Sequence, residues 1–358
     1  MSRAHNFSAG PAVLPLSVIE QLRDALPDFM STGLGLMEMS HRSSTFDDVH
    51  RGAERRLRRI LGIPEDYSVL FLQGGASLQF HMTALNLLDE AESADFVVTG
   101  TWAKKGMDEA QRIRAARAAW DGAESRFNHL PETVSVDPSA TYLHYTTNNT
   151  IYGTQFRRPP VVGDTPLVAD MSSDICSRPI DVARHALIYA GAQKNLGPSG
   201  VTAVILSPWA LEKSPGGLSP MLDYTLQVEK RGLFNTPNTF GIYALERVLA
   251  WIEDLGGLDS MAVRNEEKAA TLYREIDRSD FWTGHAAENN RSEMNVTFRT
   301  PSPDLDQRFV QEAESAGLMG LKGHRSVGGL RASIYNACEP SSVHALATFM
   351  AEFERNNG

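Results

Sequence analysis

Short apolar segments rich in β-branched and aromatic residues alternate with segments of helical periodicity through most of the chain. Strands joined through helices pair in parallel, because each helix crosses one face of the sheet before the next strand begins. The alternation therefore predicts an α/β fold with a mostly parallel sheet. The predicted strands are 68–72, 95–99, 141–145, 166–170, 186–190 and 201–206, and the predicted helices are 16–28, 46–61, 78–89, 103–117 and 241–255.

The pattern changes after Gly256-Gly257. A long helical segment at 258–278 precedes two strand-like and two helical segments, which are 294–299, 303–316, 330–335 and 341–355. Two strands among three helices are typical of a small α+β domain. We therefore predict a large domain, 1–257, and a smaller C-terminal domain, 258–358, with an N-terminal arm, 1–15, that can pack against the small domain.

The balance of charge excludes some classes of partner. The 358 residues include 44 Asp or Glu and 34 Lys or Arg, which gives a formal net charge of −10. This excess disfavours binding to nucleic acid or to an anionic membrane, and the arginine-rich segment 51–59 has the spacing of a solvated helix face. Two cysteines are too few for a disulfide framework, and no segment resembles a leader or a membrane span. These features predict a cytoplasmic protein.

Residues suited to binding follow five of the predicted strands, where ligands bind in open α/β sheets. The first strand precedes Gln73-Gly74-Gly75-Ala76-Ser77, whose backbone N–H groups and hydroxyl suit an anion. The later strands precede Trp102, the polar run 146–150, Asp170 and Lys194. Each feature alone has an ordinary explanation as a turn, a core ring, a loop, a cap or a surface lysine. Together they fit one ligand that has a phosphate, a flat ring and an aldehyde.

Lys194 and Asp170 indicate what that ligand is. A lysine amine forms a Schiff base with the aldehyde of pyridoxal phosphate, and an aspartate that pairs with the pyridinium nitrogen keeps the ring an electron sink. The glycines do not form a P-loop, since no Gly-Lys-Ser/Thr follows, nor the Gly-x-Gly-x-x-Gly fingerprint of nicotinamide enzymes. We therefore predict a pyridoxal phosphate enzyme with Lys194 and Asp170 as its catalytic residues and no metal site.

Six segments, distributed from end to end, carry a resemblance to a known family. The chain resembles the phosphoserine aminotransferases, which are fold-type-I pyridoxal phosphate enzymes of the class-V aminotransferase group. The segments at the two ends of the chain are specific to that family, whereas the lysine segment is shared by the superfamily. The six segments are 6–12, 39–42, 73–80, 190–195, 234–237 and 323–333.

The resemblance implies a role for each candidate cofactor residue. Lys194 carries the internal aldimine and moves the proton between Cα and C4′, and Asp170 holds the pyridinium nitrogen. The remaining cofactor residues are Trp102, which stacks on the ring, Ala76 and Ser77 on the phosphate, Gln193 beside them, and Thr150 near the ring hydroxyl. In the family, Asn235 and Thr236 reach the cofactor phosphate of the partner subunit, which implies a homodimer with shared active sites.

The resemblance also implies the substrates. The implied reaction interconverts O-phospho-L-serine and 2-oxoglutarate with 3-phosphohydroxypyruvate and L-glutamate by ping-pong chemistry in serine biosynthesis, and in many bacteria also serves pyridoxine synthesis through 4-phosphohydroxy-L-threonine. Arg331 is assigned to the α-carboxylate, and the pairs His41-Arg42 and His324-Arg325 to the distal anion. An arginine fork suits both anions.

Two residues depart from one form of the family pattern. Ser77 stands where some members have an arginine that helps to hold the distal anion, and Ala9 stands where some have serine. The first departure implies either weaker binding of the distal anion or a greater share carried by the His-Arg pairs.

Other functions remain open from the sequence. Another class-V enzyme, such as an alanine–glyoxylate aminotransferase or a cysteine desulfurase, would use the same cofactor residues. The desulfurase needs a mobile catalytic cysteine, for which Cys176 and Cys338 are the candidates. A non-catalytic binding protein on the same scaffold is a third alternative, against which the intact lysine, aspartate and tryptophan argue.

Overall fold

The structure is a computed structural model that describes residues 3–358. The strands are β1 (His5–Asn6), β2 (Ser68–Leu72), β3 (Ser93–Val98), β4 (Ala115–Asp121), β5 (Tyr142–Thr146), β6 (Leu167–Asp170), β7 (Leu187–Gly191), β8 (Thr202–Leu206), β9 (Thr283–Gly284), β10 (Asn295–Arg299), β11 (Leu318–Met319) and β12 (Leu330–Ser333). The helices are α1 (Leu16–Ala25), α2 (Ser44–Leu61), α3 (Gly75–Leu87), α4 (Thr101–Ala110), α5 (Pro208–Lys213), α6 (Tyr224–Glu229), α7 (Thr239–Asp254), α8 (Gly257–Asp277), α9 (Pro303–Ser315) and α10 (Pro340–Asn357).

The large sheet has seven strands in the order β2-β8-β7-β6-β5-β3-β4. Only β8 runs against its neighbours, so the prediction of a mostly parallel α/β sheet is confirmed. Helices cover both faces, with α2 and α7 on one side and α3 and α4 on the other. In β2, for example, Val69 and Phe71 enter one apolar cluster while Leu70 and Leu72 enter the opposite one. Burial on both faces explains why the strands are continuous apolar runs.

The segment from Ala115 to Asp121 is a strand, so the prediction of a helix over 103–117 was wrong for its second half. The helix α4 ends at Ala110, and β4 then pairs with β3 at the edge of the sheet. Four alanines in Ala115-Ala116-Arg117-Ala118-Ala119 favour a helix by intrinsic propensity. Hydrogen bonding to β3 overrides that preference, and propensity alone cannot report such pairing.

The C-terminal part of the chain builds a second sheet, antiparallel, in the order β12-β10-β9. Its apolar cluster contains side chains from α8, α9 and α10 together with Phe7 of the N-terminal segment. The strand β1 pairs in parallel with β11. The predicted arm 1–15 begins with two residues outside the described part of the chain, and the predicted division at 257 stays a prediction.

Surface charge on α2 is largely paired within the chain. Arg56 donates to Glu246 of α7 at 2.8 Å, and Arg59 pairs with Glu253 of the same helix. The arginine-rich segment 51–59 therefore stabilises helix packing. Within residues 3–358, no helix has both the length and the apolar character needed to cross a membrane.

One buried lysine connects α8 to the segment that follows β12. Lys268 is 2% exposed, and its Nζ donates to the carbonyl oxygens of Ile334 at 2.9 Å and Tyr335 at 2.7 Å. Burial lowers the pKa of this amine to about 7, with a smaller contribution in the same direction from nearby Arg264. Because its ordinary pKa is 10.5, the folded state releases the proton several pH units before the unfolded state does.

This linkage predicts a pH-dependent effect of Lys268→Met on stability. Between about pH 7 and 10.5 the unfolded chain binds more protons, so this group raises the free energy of unfolding of the wild type with pH by up to about 5 kcal/mol. Methionine removes that rise and leaves two carbonyls unpaired. We expect the variant to be progressively less stable than the wild type as the pH is raised from 7 to 9.5, measured by urea denaturation without cofactor. A constant difference across this range, or the same change in Lys104→Met at the surface, would contradict the assignment.

Candidate active site

The carboxyl ends of β2, β3, β5, β6 and β7 lie at one edge of the large sheet. The strands β3, β5, β6 and β7 are parallel, and β2 runs in the same direction because both it and β7 are antiparallel to β8. The segments that follow these strands therefore meet at one edge, as the sequence predicted.

Lys194 lies three residues after β7 and is partly buried. Its Nζ donates to Thr150 Oγ1 at 2.7 Å. A side chain at Gly10 would have its Cβ 3.8 Å from Lys194 Cγ, so the N-terminal segment packs against the lysine stem. Burial lowers the pKa of the amine to about 8, assisted by Arg331 and opposed by Asp170. The amine can therefore exchange protons near neutral pH.

Asp170 is the last residue of β6 and is 5% exposed. Its Oδ1 accepts the Ser172 N–H at 2.9 Å. Burial raises the pKa of the carboxyl, while Ser172 and the Lys194 ammonium act in the opposite direction. A buried carboxylate is stable only beside a cation or several donors. Its environment suits a protonated ring nitrogen.

The N-terminus of α3 forms an anion cradle. Gly74 and Gly75 have φ of 88° and 65°, in the left-handed region that favours glycine. Leu78 N–H donates to Gly74 O at 3.3 Å, so the N–H groups of the preceding three residues lie ahead of the first helical bond. They are free to bind a phosphate together with the Ser77 hydroxyl.

Arg331 on β12 approaches the site from the second sheet. Its Nη1 donates to Thr150 O at 3.2 Å, whereas its buried Nε has no hydrogen-bond partner among residues 3–358. Burial lowers the pKa of the guanidinium. A half-buried, incompletely paired arginine beside Lys194 is suited to bind a carboxylate by charge-assisted hydrogen bonds.

These groups fit pyridoxal phosphate. The cradle at α3 suits the phosphate, Asp170 suits the ring nitrogen and the Lys194 amine suits the aldehyde. Trp102, in the first turn of α4, has a partly exposed ring that suits stacking. The Nε of Arg331, which has no hydrogen-bond partner among residues 3–358, is then available to bind a substrate carboxylate.

Comparison with known proteins agrees with this geometry. The aminotransferase class-V family model matches residues 4–346. A phosphoserine aminotransferase of Desulfatibacillum aliphaticivorans is 50% identical over 359 aligned positions, covering 100% of this chain and 99% of that protein. The chain belongs to the phosphoserine aminotransferases.

Solved structures of this family share the fold. The phosphoserine aminotransferase from Bacillus circulans subsp. alkalophilus superposes with a TM-score of 0.97 at 48% identity, over 99% of both chains. The phosphoserine aminotransferase of Trichomonas vaginalis with bound pyridoxal phosphate superposes with a TM-score of 0.93 at 36% identity, over 98% of this chain and 100% of that one. The predicted fold class, family and cofactor are confirmed.

Some residues assigned by resemblance to the phosphoserine aminotransferases lie together. His324 bonds through Nδ1 to Ser326 Oγ at 2.7 Å, and its pKa is lowered by partial burial and by the charges of Arg331, Arg325 and Lys105. The predicted pair His324-Arg325 therefore lies within electrostatic range of Arg331.

Within residues 3–358, the other predicted residues form no side-chain hydrogen bond with Lys194. No hydrogen bond or ion pair within residues 3–358 joins the side chains of His41 and Arg42, just before α2, to this site. Thr236 O accepts from Gln73 Nε2 of the same chain at 3.0 Å, which places Asn235 and Thr236 beside the α3 N-terminus. Gln193 O accepts the Ala12 N–H at 2.9 Å. The roles assigned to these residues stay predictions.

A buried polar network behind Thr150 was missed from the sequence. Asn148 Nδ2 donates to Asn295 Oδ1 at 2.8 Å, and Asn295 Nδ2 donates to Tyr335 OH at 3.2 Å. Tyr335 OH in turn donates to Ala9 O at 2.8 Å. The network joins the loop after β5, the second sheet and the N-terminal segment. Its only sequence signal was polarity inside strand-like segments, which does not identify partners distant along the chain.

Proposed function

We propose that this chain transfers an amino group between O-phospho-L-serine and 2-oxoglutarate, with 3-phosphohydroxypyruvate and L-glutamate as the other pair. The observation that carries the proposal is the Lys194 amine, held 2.7 Å from Thr150 Oγ1 in the electrostatic field of Asp170 and Arg331. The family supports the same reaction, since its curated members are phosphoserine aminotransferases along their full length.

Lys194 has the properties of the group that moves the substrate proton. Pyridoxal phosphate, when bound, supplies an electrophilic carbon and a ring that withdraws electrons. With a pKa of about 8, roughly a tenth of the free amines are neutral at pH 7, against well under a thousandth at the ordinary value of 10.5. A neutral amine accepts the proton from Cα of the substrate and returns it. The Thr150 hydroxyl orients that amine.

Asp170 and Arg331 act on opposite ends of the reacting molecules. The buried Asp170 carboxylate holds the proton on the ring nitrogen, because a cation beside it compensates for its lost hydration. Arg331 binds the α-carboxylate through its free Nε. The α-carbon is thereby placed at Lys194.

The distal anion requires more positive charge. His324 and Arg325 are the candidates within this chain, and we propose that His41 and Arg42 add to them from a neighbouring subunit. This requires a homodimer in which Asn235 and Thr236 also reach across to the other cofactor phosphate. Asn235 is half-buried and Thr236 is exposed, which supports that role. We retain the division into domains 1–257 and 258–358 as part of this proposal.

The cysteine desulfurase alternative is disfavoured by both cysteines. Cys176 and Cys338 are buried, and burial raises the pKa of both thiols, that of Cys338 to about 11. A desulfurase needs an accessible thiolate. Neither side chain meets that need.

The visible absorbance of the purified holoenzyme tests the proposal. We expect O-phospho-L-serine to convert the cofactor's visible band to that of the amino form, and L-serine at the same concentration to leave it unchanged. Initial rates with varied glutamate and 3-phosphohydroxypyruvate should give the parallel lines of a ping-pong mechanism. Equal conversion by serine or alanine would retain the cofactor and reject the substrate. An absent band after adding pyridoxal phosphate would support the non-catalytic alternative.

A further inference from the structure

Lys105 lies on the face of α4 that carries Trp102. The two residues are three positions apart on a helix and are therefore neighbours on its surface. Lys105 Nζ lies 4.6 Å from the centroid of the Trp102 ring. The adjacent Lys104 points elsewhere and bonds to Asp108 Oδ1 at 3.1 Å. No carboxylate within residues 3–358 forms an ion pair with Lys105.

Two further cations, Arg325 and Arg331, act on the same histidine, His324, as this lysine. Lys105, Arg325 and Arg331 all lie close enough to His324 to disfavour its protonation, and no acidic side chain in the described part of the chain counters them. Like charges gathered without a counter-ion repel one another. Such a group becomes favourable when a doubly charged anion binds between its members.

The first turn of α3 carries no charged side chain. Ser77 is the third residue of α3, and α3 packs directly on α4. The hydroxyl of Ser77 donates a hydrogen bond but carries no charge. A lysine from α4 can provide positive charge at the same side of the site.

We propose that Lys105 is a specificity-determining residue whose ammonium pairs with the phosphate group of the substrate at the Trp102 side of the active site. The proposal rests on the proposed function. It assigns to Lys105 the charge that Ser77 does not supply. A phosphate near two negative charges gains more from this ammonium than the single carboxylate of glutamate does.

The expected effect is therefore selective. In Lys105→Met, KM for O-phospho-L-serine should rise about tenfold, while KM for glutamate rises at most about threefold and kcat stays within about twofold. Lys105→Arg should restore most of the lost affinity because it keeps the charge and the contact with the ring. Lys104→Met is the matched control and should behave as the wild type.

Calorimetry provides a measurement independent of turnover. The holoenzymes are titrated with 3-phosphoglycerate, which has the phosphate and carboxylate but no reacting group, and with glutarate, at 50 and 300 mM NaCl. We expect Lys105→Met to bind 3-phosphoglycerate about tenfold more weakly at low salt, with a smaller salt dependence, and to bind glutarate nearly as before.

The outcomes separate the two proposals. If wild type is converted by O-phospho-L-serine but Lys105→Met binds 3-phosphoglycerate as Lys104→Met does, the role of Lys105 is rejected and the function stands. The same holds if the substitution changes only the affinity or spectrum of the cofactor, since Lys105 then merely supports Trp102. If the wild type neither binds 3-phosphoglycerate nor reacts with O-phospho-L-serine, the proposed function itself is rejected.

Discussion

Lys194→Ala is expected to lower kcat by at least about a thousandfold, because it removes the amine that carries the substrate proton. The amine lies 2.7 Å from Thr150 Oγ1, and burial lowers its pKa to about 8. Alanine retains neither property. The variant should still bind pyridoxal phosphate non-covalently, through the α3 cradle and Asp170, but should lack the visible band of cofactor joined to lysine. Single-turnover spectroscopy with O-phospho-L-serine measures both effects.

The fold should survive this substitution. Burial of the lysine ammonium opposes folding, so the cofactor-free variant should melt no more than a few degrees below the wild type. Lys104→Ala provides a surface control that should keep full activity. Activity of Lys194→Ala within tenfold of the wild type would refute the assignment of this residue.

Asp170→Asn is expected to lower kcat by about a hundredfold or more while leaving the fold intact. Asparagine can still accept the Ser172 N–H, now 2.9 Å from Asp170 Oδ1, but it cannot hold a positive charge on the ring nitrogen. The ring then withdraws electrons less effectively. Steady-state kinetics at saturating cofactor measures the loss.

Two further measurements distinguish this role from a structural one. Reconstitution of Asp170→Ala with an analogue methylated at the pyridine nitrogen, which is permanently positive, should recover at least about tenfold in rate, whereas the wild type should gain nothing. Burial raises the pKa of the Asp170 carboxyl, so the charged form weakens the cofactor-free fold. Cofactor-free Asp170→Asn should accordingly melt at or above the wild-type temperature at pH 8. An absence of rescue together with a lower melting temperature would indicate a structural role.

The placement of candidate residues at one edge of the large sheet was predictable, because it follows from strand ends. Lys194 and Asp170 follow or end apolar runs that are parallel strands, and parallel strands bring their carboxyl ends to one edge. Ala76 and Ser77 were recognisable because glycines precede a helix there. Strand ends and glycines before a helix are local features of the chain, so they can be recognised in the sequence.

Cationic residues that surround the substrate space were less predictable. Lys105 follows no motif, and its significance comes from a contact with Trp102 and from proximity to His324, which is more than 200 positions away in the chain. The buried hydrogen bond between Asn148 and Asn295 likewise joins residues that are distant along the chain. No periodicity in the sequence indicates which polar residues of the two sheets form hydrogen bonds with each other.

Within this chain, apolar runs and the residues that end them determined the fold class, the strands of the large sheet other than β4, and the identities of the lysine and the aspartate. Tertiary structure alone decided that the alanine-rich segment 115–121 becomes an edge strand, that Arg331 approaches Lys194 with a free Nε, and that Lys268 is buried against two carbonyls. The physical reason is that burial of a helix or strand against a core produces a regular pattern of apolar residues, and this pattern is visible in the sequence. Hydrogen-bond partners and the desolvation that lowers the pKa of a lysine depend instead on atoms distant along the chain.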